Sequence, residues 1–147
     1  MLTWAFKTLQ HLSAEQTHQI LQLRAQVFVV EQNCPYLDVD NQDLGDTVHV
    51  MGLSEEYLAA YARLIHKDNQ HWIIGRVCVA QHYRQFGYGR ELMNRILHHL
   101  QQHNVHTITL AAQTYLTHFY QSFGFSAQGQ AYLEDGIPHI DMIKRGV

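Results

Sequence analysis

The chain has 147 residues, of which 46% are hydrophobic and 16% are charged. These fractions exclude a disordered chain and predict one domain, residues 1–147, that is long enough to bury a core. The formal net charge is −3 with only 10 lysines and arginines, which argues against a nucleic-acid partner. No apolar run approaches the length of a membrane-spanning helix, so no membrane partner is expected.

The cysteine content and the first residues bear on the cellular setting. Cys34 and Cys78 are too few for a disulfide framework and lack the spacing of metal ligands. A reduced, cytoplasmic location follows most simply. The opening residues, MLTWAFKTLQHLSAEQ, have neither a long apolar stretch nor a small-residue cleavage site, so no secretion signal is predicted.

The first half of the chain predicts a strand, a helix and three more strands. Ser13 and Gln16 form a capping box, which marks the start of a helix that runs to about Val30. The apolar residues at helical spacing are Ile20, Leu23, Val27 and Phe28. The predicted strands are Thr3–Lys7, Val48–Leu53, Leu58–Ile65 and Trp72–Val79.

The second half predicts a long helix, a strand, a short helix and a final strand pair. The long helix has its apolar stripe at Leu92, Met93, Ile96, Leu97 and Leu100. The later elements are a strand at Thr107–Ala111, a helix at Tyr115–Phe123 closed by Gly124, and strands at Phe125–Leu133 and His139–Lys144. The resulting order, β-α-βββ-α-β-α-ββ, predicts an α/β (α+β) fold with a mixed, mostly antiparallel, twisted sheet and helices on both faces.

The turn Arg84–Gly89, between an apolar strand and the long helix, is the main functional signal. A glycine-punctuated turn at a helix start exposes unpaired backbone N–H groups at the positive end of the helix dipole. Such a turn favours a phosphate or diphosphate, although a turn that binds nothing is the alternative. The residues match neither the nucleotide P-loop nor the G-x-G-x-x-G pattern of dinucleotide-binding folds.

These residues resemble those of a known superfamily. The pattern R-x-x-G-x-G after V-x-V is similar to the coenzyme A loop of GNAT acyltransferases, and the order of elements resembles the GNAT fold along essentially the whole chain. A second block, Gln113–Phe125 with F-Y-x-x-x-G-F, resembles the family's second coenzyme A element, although many members carry Asn where this chain has Gln113. The stretches FVVEQNCPY, HFYQSFGF and EDGIPHIDM resemble the ElaA-type subgroup.

The resemblance implies acetyl-CoA as co-substrate and direct attack by an acceptor amine without a covalent enzyme intermediate. It also implies a possible homodimer, because relatives of this fold often pair. The strand backbone would pair with the pantetheine amides, and the turn would hold the diphosphate chiefly through main-chain N–H groups. The residues assigned to the coenzyme are Val77, Cys78, Val79, Arg84, Gln85, Phe86, Gly87, Tyr88, Gly89, Arg90, Gln113, Phe119 and Tyr120.

Tyr120 is the candidate general acid. A hydroxyl beside the sulfur lowers the cost of thiolate departure. The alternative is a core tyrosine between Phe119 and Phe123, which would be preferred without the family pattern. The general base must take a proton from the amine, and the candidates are Glu31 and His49. The structural alternatives are that Glu31 is only a carboxylate at a helix end and that His49 is a strand histidine whose hydrogen bonds are satisfied within the fold.

Arg63 and Arg76 are charged residues inside apolar strand patterns, where each needs a partner. One interpretation is that they border the acceptor pocket and either bind an acceptor carboxylate or neutralise the loop from Glu31 to Asp46, here called the acidic loop. The other is that they form internal salt bridges to Glu31, Asp38 or Asp40.

Two further hypotheses are weighed against acyl transfer. His99 and His103 have one-turn spacing, but no acidic residue lies at a matching position, so no metal site is predicted. The rival function is an acyl-CoA sensor that keeps the fold and binds the coenzyme without turnover. Only the enzyme needs Tyr120 and an open acceptor cavity.

Overall fold

A computed structural model describes residues 1–147, and all seven strands form one sheet in the order β1-β2-β3-β4-β5-β7-β6. The strands are β1 (Thr3–Thr8), β2 (Val48–Ser54), β3 (Tyr57–Asp68), β4 (His71–Val79), β5 (Thr107–Gln113), β6 (Ser126–Glu134) and β7 (Ile137–Arg145). The α-helices are α1 (Ala14–Arg24), α2 (Tyr88–Gln102) and α3 (Thr117–Gln121). The predicted order of elements is confirmed, and no helix has the length and apolarity needed to cross a membrane.

Helix α1 starts as its sequence predicts and ends in an unusual winding. The Ser13 side chain accepts from the Gln16 backbone N–H at 3.0 Å, and the Gln16 side chain accepts from the Ser13 N–H at 3.0 Å. From Ala25 to Glu31 the helix continues as a π-helix. Because π-helical turns take up extra residues, this segment carries Glu31 to a position that a regular α-helix would not give it.

The hydrophobic core lies on both faces of the sheet, because neighbouring residues of β3 point to opposite sides. Ala60, Ala62 and Leu64 belong to the larger cluster, which includes the buried stripe of α2. Tyr61 belongs to the smaller cluster, where it packs with residues of α1 such as Ile20. This arrangement confirms a sheet with helices on both faces.

The parallel pairing of β4 with β5 ends early and opens the sheet. Pairing runs only from His71 with Thr107 to Ile74 with Leu110, whereas both strands continue beyond these residues. On its other edge, β4 has a bulge against β3 in which Arg76 has a φ of +53°. The end of β4 therefore presents a backbone edge that β5 does not pair, and the sheet contains a cleft at this point.

Candidate active site

The turn before α2 presents unpaired backbone N–H donors to open space. Gly87 occupies the N-cap position in the left-handed region, at φ +78°, and no side chain caps the helix. A Cβ added at Gly87 would meet nothing within 4 Å, so the turn is open on that side. The first N–H groups of α2 are therefore available to an anion at the positive end of the helix dipole.

A groove of about 320 Å³ begins at this turn and runs between β4, α2 and α3. An added Cβ at Gly89 would lie 3.8 Å from both Phe119 Cζ and Val79 Cγ2, so a side chain there would fill the groove. Five of the residues assigned to the coenzyme do not line it, namely Val77, Cys78, Phe86, Gln113 and Tyr120; the Phe86 ring is exposed beside Tyr88. The groove is lined by Val79, Tyr83, Arg84, Gln85, Gly87, Tyr88, Gly89, Arg90 and Phe119.

The two arginines of the turn have partners within the chain. Arg84 donates through Nε to the Val79 carbonyl at 2.9 Å and through Nη2 to Glu31 Oε2 at 2.8 Å. The Arg90 guanidinium lies 4.7 Å from the Phe123 ring centre and donates to Ser122 Oγ at 3.1 Å. The open donors of the turn are therefore mainly backbone N–H groups.

Tyr120 is 5% exposed, and its ring meets Phe119 and Phe125 edge to face. Its hydroxyl makes no hydrogen bond within the chain, yet its oxygen is not among the fully buried unpartnered atoms, so it touches solvent. Burial raises the pKa of Tyr120, with smaller contributions from Tyr115 and Cys78. The phenol therefore stays protonated and has a free O–H to donate.

Cys78 lies on β4 and is buried, and burial raises the pKa of its thiol to about 12. A thiol with this pKa is a poor nucleophile at neutral pH, so Cys78 serves as a small apolar residue of the strand. Cys34, beyond the π-helix, contacts the turn between β6 and β7, since its Sγ lies 3.4 Å from the Asp135 carbonyl oxygen.

The two base candidates lie in different surroundings. His49 is 1% exposed; its Nε2 is 2.9 Å from the Asp43 carbonyl oxygen and its Nδ1 is 2.6 Å from the Tyr61 hydroxyl. A carbonyl can only accept, so Nε2 carries the proton and Nδ1 accepts from Tyr61. Burial lowers the pKa of His49, which keeps the ring neutral with its lone pair engaged. Glu31, by contrast, has one partner, Arg84, and reaches solvent.

Three arginines and three aspartates form a closed ring of alternating charges, here called the charge ring. Each carboxylate pairs with two guanidinium groups and each guanidinium with two carboxylates. In order around the ring, its members are Arg24, Asp38, Arg76, Asp40, Arg63 and Asp43, with N–O distances from 2.6 to 3.6 Å.

The charge ring fastens the acidic loop to three elements, because Arg24 is on α1, Arg63 on β3 and Arg76 at the β4 bulge. The structure thus gives Arg63 and Arg76 the internal salt bridges that the sequence offered as one alternative. Sequence reasoning missed Arg24. The signal that identified Arg63 and Arg76, a charged residue inside an apolar pattern, was present here as well. Arg24 follows Leu23 directly and lies one turn after Ile20.

His99 and His103, at the end of α2, make local contacts. His103 Nδ1 is 2.8 Å from the His99 carbonyl oxygen, and the His99 ring stacks on Phe6 at 4.2 Å. The structure brings together no group of three or more potential metal ligands. These contacts account for the two rings as parts of the helix surface.

Sequence comparison identifies the class to which this fold and groove belong. The profile of the Acetyltransferase (GNAT) domain family matches residues 15–145. The chain therefore belongs to the GNAT family, as its sequence motifs predict, and acyl transfer from an acyl-CoA is the chemistry of this class.

Individual relatives narrow this assignment. The chain is 44% identical to Protein ElaA of Escherichia coli (strain K12), an alignment that covers 98% of this chain and 97% of the relative. The crystal structure of Escherichia coli ElaA superposes with a TM-score of 0.92 at 42% identity, covering 99% of this chain and all of the other. The crystal structure of an acyl-CoA N-acyltransferase from Pseudomonas aeruginosa gives 0.92 at 40% identity, with coverages of 98% and 99%.

Proposed function

We propose that this chain transfers an acetyl group from acetyl-CoA to a primary amine by direct attack within a ternary complex. One observation carries the proposal: the unpaired end of β4 runs from the cleft to the glycine turn at the start of α2. A thioester laid along that edge would have its diphosphate at the turn and its acyl end in the cleft.

Strand β4 supplies the contacts for the pantetheine arm. Val77 and Val79 lie beyond the last residue of β4 that pairs with β5. Apart from the Val79 carbonyl, which accepts from Arg84, their backbone groups on this edge suit the addition of an extended ligand as a further strand. A backbone N–H of the same edge would polarise the thioester oxygen as negative charge develops on it.

In the reaction, the nitrogen lone pair attacks the thioester carbonyl carbon, the C–N bond forms and the C–S bond breaks. The leaving thiolate belongs to a thiol with a pKa near 8.5, whereas the pKa of Tyr120 is raised above its ordinary value. Tyr120 would therefore stabilise the thiolate by donating a hydrogen bond, and the surplus proton of the amine goes to Glu31. His49 is the weaker candidate base because Tyr61 already occupies its lone pair.

The acceptor would enter over the wall made by Arg76 and the acidic loop. Arg76 stacks over the Tyr36 ring at 5.4 Å and keeps 21% of its side chain exposed. Its Nη1 has no partner within the chain, since its bonds use Nε and Nη2. This free donor supports an acceptor that carries a carboxylate near its amine, whereas Arg63 is buried within the charge ring.

The test is release of free thiol from acetyl-CoA across a panel of amines with and without a carboxylate. We expect release with at least one amine, and more from those that carry a carboxylate. Coenzyme A binding without release for any amine would support the sensor instead. Replacement of acetyl-CoA by longer acyl-CoA donors in the same assay tests the acetyl assignment.

A further inference from the structure

Arg84 joins three parts of the molecule. Its guanidinium bonds to the Val79 carbonyl on β4 and to the Glu31 carboxylate at the end of the π-helix, while the residue lines the coenzyme groove. Glu31 and Arg84 are 53 positions apart in the chain. One side chain thus touches the donor strand, the proposed base and the groove.

The contact between Arg84 and Glu31 differs from those of the charge ring. It is a single charge-assisted bond between side chains that are 42% and 24% exposed. Exposed pairs of this kind contribute little, because water solvates both groups almost as well. A diphosphate offers more negative charge and several oxygens that a guanidinium can bind in pairs. A diphosphate within reach of Arg84 should therefore bind its guanidinium more strongly than the Glu31 carboxylate does.

We propose that Arg84 is a shared partner: Glu31 holds its guanidinium while the groove is empty, and the diphosphate of the bound acyl-CoA takes it over. The bond from Nε to the Val79 carbonyl anchors the side chain during this exchange, because only the outer nitrogens change partner. The exchange frees the Glu31 carboxylate to receive the proton of the acceptor amine. This inference rests on the proposed function, in which Glu31 is the base.

Calorimetric titration with coenzyme A tests the exchange without turnover, and pantetheine, which lacks the diphosphate, is the control ligand. Glu31→Gln removes the competing charge, so we expect coenzyme A to bind up to about five-fold more tightly, equivalent to about 1 kcal/mol. Pantetheine affinity should stay the same. Glu15→Gln is the matched control, since Glu15 is an exposed residue of α1 with no ion pair, and should change neither affinity.

Two further variants complete the test. Arg84→Ala should weaken coenzyme A binding and leave pantetheine binding unchanged. The double variant Glu31→Gln/Arg84→Ala should bind coenzyme A no better than Arg84→Ala alone, since a coupling between two residues disappears when one is already absent.

Several results would overturn the inference. Unchanged or weaker coenzyme A binding by Glu31→Gln is one, and a gain that persists in the double variant is another. If Glu31→Gln does not fold, Arg84→Ala decides alone, because equal loss of both ligands contradicts a role at the diphosphate. Absence of coenzyme A binding by the unaltered chain would overturn the proposed function itself, whereas binding with an unresponsive Glu31→Gln overturns only the exchange.

Discussion

The groove at the start of α2 and the charge ring use arginine in different ways. In the groove, backbone N–H groups face open space, and Arg84 pairs with Glu31 through side chains that are 42% and 24% exposed. In the charge ring, the guanidinium groups of Arg24 and Arg63 are at most 3% exposed. A guanidinium is adaptable where water can replace its partner, and becomes a fixed structural link where desolvation makes every partner obligatory.

The same contrast holds for the carboxylates. The neighbouring guanidinium groups hold the pKa values of Asp40 and Asp43 below their usual range, in spite of burial, which acts in the opposite direction. Asp43 Oδ1 accepts from both Arg24 and Arg63. Removal of Asp43 therefore leaves two buried cations with one carboxylate partner each in place of two, whereas removal of Glu31 leaves a cation that water can reach.

Asp43→Asn gives the largest expected effect. It leaves Arg24 and Arg63 facing a neutral group, and loss of one partner from a buried ion pair costs about 3–5 kcal/mol of unfolding free energy. Urea denaturation measures this loss. Asp46→Asn, in the same loop with a side chain 87% exposed, should change the unfolding free energy by less than about 0.5 kcal/mol. Similar values for the two variants would mean that the ring is not a structural link.

Tyr120→Phe should act on chemistry and leave the rest of the molecule intact. The hydroxyl has no partner within the chain, so its loss should scarcely alter unfolding or coenzyme A affinity. Turnover should fall by about 100-fold or more, as for other positioned proton donors. The comparison variant is Tyr115→Phe, because Tyr115 is an exposed tyrosine on the same helical stretch. Full turnover by Tyr120→Phe would remove the proposed role.

The pH dependence of stability separates the buried histidine from the open groove. The folded pKa of His49 is lowered, so between that value and about 6.5 the unfolded chain binds a proton that the folded chain does not. Its stabilising contribution is complete above about pH 7.5 and is lost as the pH falls through 6.5.

For one histidine the slope cannot exceed about 1.4 kcal/mol per pH unit. His49→Gln keeps a donor towards the Asp43 carbonyl but does not titrate, so its unfolding free energy should vary less between pH 7.5 and 5. His18→Gln, on the exposed side of α1, should keep the original slope. An unchanged slope in His49→Gln would show that His49 takes up its proton in the folded chain as readily as in the unfolded chain.

Gly87→Ala and Gly129→Ala form a matched pair with a small expected effect on stability. Both glycines have a φ of +78° and open space for a Cβ, so each substitution should cost about 1 kcal/mol of unfolding free energy. Only Gly87 lies at the groove, and only its substitution should weaken coenzyme A binding. Equal coenzyme A affinity in both variants would mean that this turn does not hold the diphosphate.

Local patterns predicted most of the fold because they act over a few residues. The capping box of Ser13 and Gln16, the stripe of α2 and the turn at Gly87 all appear where the sequence places them. The predicted continuation of α1 to about Val30 is also present, but as a π-helix from Ala25. Periodicity in a sequence of apolar residues does not distinguish the two windings at the end of a helix.

The sequence by itself determined the order of elements, the glycine turn with its unpaired donors, and membership of the GNAT family, because each depends on residues close together in the chain. Only the tertiary structure decided how the charges pair. Arg24, Arg63 and Arg76 come from three elements and meet three carboxylates of one loop. Which guanidinium faces which carboxylate depends on the β4 bulge and on the path of the loop, and these are fixed only when the sheet and α1 pack together.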